Sequence, residues 1–117
     1  MGLDTTHGCW HGSYGSFAAF RSEIARAAGY PPLNKMVGYS TALDAIGWFY
    51  YLDNPLTVLL NHSDCDGYIE ADDCLPLANA LDDLIKKIEV DWVRELALRF
   101  VDGLRLAAEF GERVEFR

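Results

Sequence analysis

The segment Asn61-His62-Ser63-Asp64-Cys65-Asp66-Gly67 decides how the fold is interpreted, because it places a polar turn between two stretches of helical periodicity. When Gly67 is aligned with the glycine of a twelve-residue calcium loop, three side chains fall on the first, third and fifth ligand positions. These residues are His62, Asp64 and Asp66. The segment therefore predicts a helix–loop–helix corner that resembles an EF-hand.

Two residues depart from the calcium pattern. His62 offers a nitrogen where calcium requires a hard oxygen ligand, and Asp73, at the twelfth position, is shorter than the bidentate glutamate of such loops. These departures favour a divalent, zinc-like transition ion over calcium. Because Asp-x-Asp-Gly is also ordinary turn chemistry, the alternative of a helix corner that holds no metal stays open.

A second polar segment, His7-Gly8-Cys9-Trp10-His11-Gly12, contains the other two histidines and another cysteine. Imidazole nitrogens and carboxylate oxygens together suit a transition ion that keeps one coordination position for water or substrate. We therefore predict that the two segments meet and form a composite metal site. Its expected ligands are His7, His11, His62, Asp64 and Asp66.

Each of these side chains also has a purely structural interpretation. Free cysteines such as Cys9 and Cys65 are more commonly small buried hydrophobic residues than metal ligands. Histidines can instead be hydrogen-bonded to backbone or carboxylate groups in a polar network. Both alternatives stay open at this point.

The second segment runs into a predicted helix start at Ser13, where glycines and serines leave backbone amides and hydroxyls free to face an anion. A plain N-cap at Ser13 is the alternative. Trp10 and Tyr14 are placed either to line a planar ligand or to pack in the core. The expected binding residues for a polar or phosphorylated small molecule are Trp10, Ser13 and Tyr14.

Apolar residues at three- and four-residue spacing predict helices in the first half of the chain. One begins at the Ser13 cap and ends at Gly29. A shorter helix begins at Asn54-Pro55, which are typical of an N-cap and a first helical position. Between them, residues 41–52 are aromatic and apolar, and they predict a buried helix or a strand.

Two longer helices are predicted in the second half of the chain. One begins at Asp72 or Asp73 and continues to Ile88. The other has an apolar face that starts at Trp92, and it ends at Gly111. The short connection between them favours antiparallel packing.

The ending Val114-Glu115-Phe116 alternates in polarity and predicts a short β pairing with residues near 3–5. With 117 residues, of which 50% are hydrophobic, the chain suits a single domain over residues 1–117. The predicted fold class is therefore mainly α, a small single-domain helical fold with an EF-hand-like corner and one short β pairing of the termini.

Composition argues against two classes of partner. The formal net charge of −8 would repel nucleic acid or an anionic membrane surface. Three cysteines without the spacing of a disulfide scaffold, and no apolar leader, favour a cytoplasmic protein. The longest apolar run, residues 45–52, is too short to span a bilayer.

Two segments and the end of the chain carry a family signature. They are Gly2-Leu3-Asp4-Thr5-Thr6-His7-Gly8-Cys9-Trp10-His11-Gly12, Asn61-His62-Ser63-Asp64-Cys65-Asp66-Gly67 and Val114-Glu115-Phe116. On these motifs the chain resembles a family of small uncharacterised proteins encoded by bacteriophages, prophages and bacteria. The resemblance spans the chain and implies an accessory role in the host cytoplasm, but it carries no catalytic assignment.

Three functional hypotheses follow. The leading one is a small metal-dependent binding protein whose composite site holds a polar or phosphorylated small molecule. The second is a metal-dependent hydrolase, in which the same ligands hold the metal and Asp64 or Asp66 acts as general base. The third is an acidic interaction or inhibitor protein that needs no metal and binds a basic protein surface.

Overall fold

The computed structural model describes residues 2–117. Over these residues the chain forms four α-helices and two small antiparallel sheets, which confirms the mainly α fold. The helices are α1 (Tyr14–Ala28), α2 (Thr57–Leu60), α3 (Ala71–Leu84) and α4 (Asp91–Glu109). The strands are β1 (Gly2–Asp4), β2 (His11–Ser13), β3 (Tyr68–Ile69) and β4 (Val114–Glu115). Among residues 2–117, no helix is both long and apolar enough to cross a membrane.

Helix α1 has the ends that the sequence predicts. The Ser13 side chain accepts a hydrogen bond from the Ser16 amide at 3.0 Å and so caps the first turn. Gly29 ends the helix in the left-handed conformation, with φ of 82°, which glycine adopts without steric cost. Phe17 and Phe20 on its apolar face are fully buried.

The predicted pair of long helices is also confirmed, with a miss in the first turn of α4. α3 and α4 form the most extensive contact between any two elements, and the turn Ile85–Lys87 joins them. Trp92 was expected in the core, but it is 43% exposed and the neighbouring Val93 is buried instead. One residue corresponds to a rotation of 100° about a helix axis, so the error moves the aromatic ring out to solvent.

The prediction for residues 41–52 is wrong. The only helical turn there is a short 3₁₀ turn, Trp48–Tyr51, and several of its apolar side chains face solvent. The segment is held instead by contacts with residues 35–37: the Ile46 amide donates to the Lys35 carbonyl at 2.8 Å, and Trp48 Nε1 donates to the Val37 carbonyl at 2.7 Å. The spacing of apolar residues within 41–52 cannot predict hydrogen-bond acceptors that lie outside this segment.

α2 exists but starts later than expected. The Asn54 side chain accepts a hydrogen bond from the Leu56 amide at 3.0 Å, which closes a turn before the helix rather than its first residues. The four-residue α2 leads into residues 61–67, here called the Asn61 loop. β3 and α3 follow, so the corner joins a very short helix to a long one.

The carboxyl-terminal segment pairs with both polar regions of the chain. The predicted pairing is confirmed by a bridge between Thr5 and Phe116 and by hydrogen bonds between the backbones of Asp4 and Arg117. On its other edge, β4 pairs with β3 through Val114 and Ile69, which the sequence did not predict. Residues 114–117 therefore lie between the Asn61 loop and residues 5–10, here called the His7 loop.

Helix α4 comes unusually close to the His7 loop at Gly103. A Cβ atom at this position would lie 2.6 Å from Cys9 Sγ and 2.8 Å from the His7 carbonyl oxygen. Both distances are shorter than van der Waals contact, and the second involves backbone. The absence of a side chain on Gly103 is therefore what allows the His7 loop to sit on α4.

We predict that Gly103→Ala lowers the free energy of unfolding by about 1–3 kcal/mol, because the loop must move away from the added methyl group. The accompanying gain in helix propensity is smaller, about 1 kcal/mol. Gly15→Ala is the matched control: Gly15 is exposed near the start of α1, and the nearest atom to its built Cβ is at 4.0 Å. Urea denaturation of both variants measures the effect, and equal stability of the two would contradict this close approach.

Candidate functional site

The two histidine-bearing loops both rest on the carboxyl-terminal segment, and each of the three histidines has its own partners. His7 Nε2 lies 3.0 Å from a Glu112 carboxylate oxygen, and its Nδ1 lies 2.8 Å from Thr6 Oγ1. The same hydroxyl accepts a hydrogen bond from the Glu115 amide at 2.9 Å. His7 has φ of 63°, an uncommon conformation for a residue with a side chain. The hydrogen bonds of His7 and Thr6 join the His7 loop to Glu112 and Glu115.

His11 lies on the outer face of the hairpin formed by β1 and β2. Its side chain is 89% exposed, and its Nδ1 is 3.5 Å from an oxygen of Asp4, the residue opposite it in the sheet. Ion pairs this exposed contribute little to stability. His11 is therefore held less firmly than the other two histidines.

His62 is built into the Asn61 loop. Its ring lies against Phe116 with 4.0 Å between centroids. Its Nδ1 is 2.8 Å from the Ser63 carbonyl oxygen and its Nε2 is 3.0 Å from the Tyr68 carbonyl oxygen. A Cβ on Gly67 would come within 3.3 Å of the ring, so the glycine leaves room for it. Both nitrogens lie within hydrogen-bonding distance of backbone oxygens, and a neutral imidazole can donate to one of them. The ring closes the loop, and a metal ion would have to displace one of these oxygens to reach a ring nitrogen.

The predicted metal ligands are not assembled as a set. Asp64 and Asp66 are both exposed in the Asn61 loop. Over residues 2–117, no group of three or more His, Cys, Asp or Glu side chains is arranged to hold a metal ion. Metal binding by His7, His11 and His62 would require these side chains to leave their present partners, and it stays a prediction.

The cysteines divide into two buried thiols and one exposed thiol. Burial raises the pKa of Cys9 to about 12, so its thiol is protonated at neutral pH and is a poor metal ligand. Cys74 is also buried, and burial raises its pKa as well. Cys65 is exposed, so its interpretation as a small buried hydrophobic residue is wrong.

The residues expected to bind a small molecule are used in different ways. Trp10 packs in the core, with its ring centroid 5.0 Å from that of Phe17. The Ser13 hydroxyl caps α1 and also donates to Ser16 Oγ at 2.9 Å. Tyr14 is partly buried against the core. A cleft of about 330 Å³ beside the hairpin is lined by Ser13, together with Asp4 and His11, and neither aromatic ring contributes to it.

A residue of the candidate site that the sequence did not predict is Arg21 on α1. It is only 4% exposed, and its Nη1 donates to the carbonyl oxygens of His62 at 2.5 Å and Leu59 at 3.5 Å. Its Cζ lies 4.5 Å from the centroid of the Phe17 ring and 5.3 Å from that of Tyr39. A signal was present: Arg21 stands one turn after Phe17, inside the apolar stripe of α1.

Two nitrogens of the Arg21 guanidinium have no hydrogen-bond acceptor among residues 2–117. Its Nε is buried without a hydrogen-bond partner. Nη2 makes no hydrogen bond within residues 2–117 and, unlike Nε, retains contact with solvent. Across the same residues, no carboxylate oxygen lies within 4.0 Å of this guanidinium. Burial lowers the pKa of Arg21, while the nearby Tyr39 and Asp64 raise it, and arginine stays charged at any physiological pH.

A cleft of about 340 Å³ opens beside this arginine and is here called the Arg21 cleft. Its lining residues are Arg21, Val37, Gly38, Tyr39, Asn61, His62, Ser63 and Asp64. The Tyr39 hydroxyl donates to the Leu60 carbonyl at 2.7 Å, so Tyr39 and Arg21 both bind carbonyls at the end of α2. The cleft thus combines a buried cation with amide, hydroxyl and carboxylate groups at its mouth.

Comparison with known proteins gives no match. No family model, no curated protein and no solved structure matches the chain. Function is therefore inferred from the chemistry of the Arg21 cleft and of the surface around it.

We predict that His62→Ala lowers the free energy of unfolding by roughly 1–3 kcal/mol, because it removes the contact with Phe116 and a hydrogen bond that closes the Asn61 loop. His11→Ala is the matched control and should change stability by no more than about 0.5 kcal/mol, since the ring is exposed. Urea denaturation with a chelator present measures both values.

Metal analysis of the same proteins, purified without a polyhistidine tag, tests the composite site. Stoichiometric transition metal in the unmodified protein, lost in both histidine variants, would show that the site assembles in solution. Metal-free protein together with the stability contrast above would leave His62 with a structural role only.

Proposed function

We propose that the protein binds a small anionic molecule in the Arg21 cleft, through a carboxylate or phosphate group. The observation that carries this proposal is a nearly buried arginine with unused donors and no carboxylate partner. The proposal keeps the polar or phosphorylated ligand expected from the sequence. It moves the binding residues from the start of α1 to its middle.

The cost of burying the guanidinium is only partly offset within the protein. A buried charge loses its hydration, which costs several kcal/mol unless other groups replace the water. The carbonyls of Leu59 and His62 replace part of it, and the rings of Phe17 and Tyr39 add cation–π attraction. An anion at Nη2 would add a charge-assisted hydrogen bond, which is among the strongest available to a protein.

The groups around the arginine suit a polar ligand. Asn61 and Ser63 line the same cleft and provide an amide and a hydroxyl. Gly38 contributes backbone, and nothing lies within 4 Å of its built Cβ, so a ligand can approach the chain closely there. Small-molecule sites commonly combine a concave surface with a few convergent polar groups of this kind.

The other sequence-based hypotheses keep their place as proposals. A bound transition metal and a metal-dependent hydrolysis both depend on a ligand set that is not assembled here. A small ligand-binding protein is compatible with an accessory role in the cytoplasm of a bacterial host, which the resemblance to bacteriophage proteins implies.

We predict that inorganic phosphate and acetate each shift the backbone amide resonances of Gly38 and Ser63 in a saturable way. Arg21→Met should weaken binding at least about 10-fold, because a hydrogen bond to a charged group contributes roughly 1.5–3 kcal/mol. Arg105→Met is the matched control, since Arg105 is about half exposed, pairs with Asp82 on α3 and does not line the Arg21 cleft. Titrations followed by two-dimensional NMR measure the dissociation constants.

Arg21 also holds the end of α2, so thermal melting must first show that the variant folds. If it does not, Tyr39→Phe and Ser63→Ala test the same cleft with Arg21 intact, and at least one should weaken binding. Absence of saturable shifts with the unmodified protein, for both anions, would refute the proposal without any variant.

A second candidate function is supported by an exposed apolar surface. Phe49, Tyr50 and Leu52 are each about two-thirds exposed or more, and the two aromatic rings lie 4.0 Å apart. We call these three residues the Phe49 patch. Exposed aromatic residues are characteristic of protein interfaces, and the net charge of −8 favours a basic partner. This matches the hypothesis of an acidic interaction protein.

We predict that Phe49→Ala combined with Tyr50→Ala abolishes retention of an identified basic host protein on the immobilised chain. Leu43→Ala is the control, because Leu43 is fully exposed and lies outside the patch. Analytical ultracentrifugation is run in parallel. Retention that is unchanged in the double variant, or self-association that the double variant removes, would exclude this kind of partner.

A further inference from the structure

The Arg21 cleft also carries a negative group that the anion proposal does not use. Asp64 lines the cleft and is exposed at its mouth. Its carboxylate has no ion-pair or hydrogen-bond partner among the residues that the structure describes. It is close enough to raise the pKa of both Arg21 and Tyr39, yet more than 4.0 Å from the guanidinium.

The cleft is therefore dipolar, with a buried cation on one side and an exposed anion on the other. A ligand that carries negative charge alone meets repulsion from Asp64 and from the net charge of −8. A ligand that carries a positive group beside its acid group meets attraction at both ends. Specificity of this kind comes from matching charges of opposite sign across one site.

The size of the cleft restricts the ligand further. A volume of about 340 Å³ lies at the small end of the range for ligand sites. The polar lining from Asn61 and Ser63 provides orientation but no extended apolar surface for a long hydrocarbon or a base. A compact, highly polar molecule fits these constraints better than a nucleotide or a lipid.

We infer that the ligand is a small zwitterion of the free α-amino acid class, with its carboxylate on Arg21 and its ammonium group on Asp64. This inference rests on the proposed anion site and names its ligand. Asp64 acts as the specificity-determining residue, because it distinguishes an amino acid from a simple carboxylate. Arg21 supplies the attraction that both kinds of ligand share.

The test compares ligands that differ in a single charged group. The protein is titrated by NMR with glycine, L-alanine, acetate and ethylamine, and the amides of Gly38 and Ser63 report binding. We expect at least one of the two amino acids to bind roughly three- to fivefold more tightly than acetate, which is the upper part of the range for an exposed ion pair. Ethylamine alone should not bind measurably, because it lacks the carboxylate that Arg21 would hold, and a single ion pair with the exposed Asp64 contributes little.

Two matched variants test whether Asp64 causes the tighter binding of amino acids. Asp64→Asn should remove the advantage of the amino acid over acetate while acetate still binds. Asp66→Asn is the control, because Asp66 is exposed in the same loop but does not line the cleft, and it should preserve that advantage. Both positions are exposed, so both variants are expected to fold, and thermal melting checks this.

The outcomes separate the inference from the proposal on which it rests. Suppose that acetate and phosphate bind through Arg21. If the amino acids then bind no more tightly than acetate, or bind equally tightly to Asp64→Asn, the inference of a zwitterionic ligand is wrong and the proposed anion site stands. Failure of every anion and amino acid to bind would overturn both. β-Alanine, which separates the two charges by one more carbon, should bind more weakly than L-alanine; the reverse order would reject the α-amino acid class.

Discussion

The hydrogen bonds of residues 114–117 hold together the parts of the molecule that the helices do not. On one edge these residues pair with β3, and on the other they bond to the backbone of Asp4 and Thr5. Phe116 is buried between them, with the His62 ring on one of its faces. The Asn61 loop and the His7 loop therefore have fixed positions because one short strand, which carries neither histidine, supports them both.

Arg21 connects the Asn61 loop to helix α1 in the core. It stands on α1, yet its hydrogen bonds end on carbonyls at the close of α2 and in the Asn61 loop. A short helix such as α2 cannot satisfy its own last carbonyls, so a cation there is favourable both as a donor and as a partner for the helix dipole. The same residue that stabilises the loop has guanidinium donors without a protein partner, and these donors are the basis of the proposed anion site.

Much of the fold followed from local chemistry, and the misses have a common physical cause. Ser13 and Gly29 end α1 through interactions with their near neighbours, so sequence alone located both. The alternation in residues 114–116 likewise indicated a strand. Residues 41–52, in contrast, are held by acceptors near Val37, and an apolar composition cannot reveal partners that lie elsewhere in the chain.

The candidate site shows the same division. The two histidine-bearing segments were predicted to meet in a metal site; each contacts residues 114–117, but the predicted ligands are not assembled as a set among residues 2–117. The hydrogen-bond partner of each ring was not predictable, because nothing in the sequence marks Glu112 as the partner of His7 or the Tyr68 carbonyl as the partner of His62. Arg21 was overlooked because an arginine in a helix is usually on the surface, and only its position one turn from Phe17 argued otherwise.

The strand at the carboxyl end also has a consequence for the order in which the molecule acquires its structure. The hydrogen bond from the Glu115 amide to Thr6 Oγ1 joins residues that are 109 positions apart. Contacts that close so long a stretch of chain form late, after the helices, because the entropy of closure must be offset by structure already present. α1 through α4 can assemble while the polar loops stay open, so the Arg21 cleft gains its final shape only after residues 114–117 have paired.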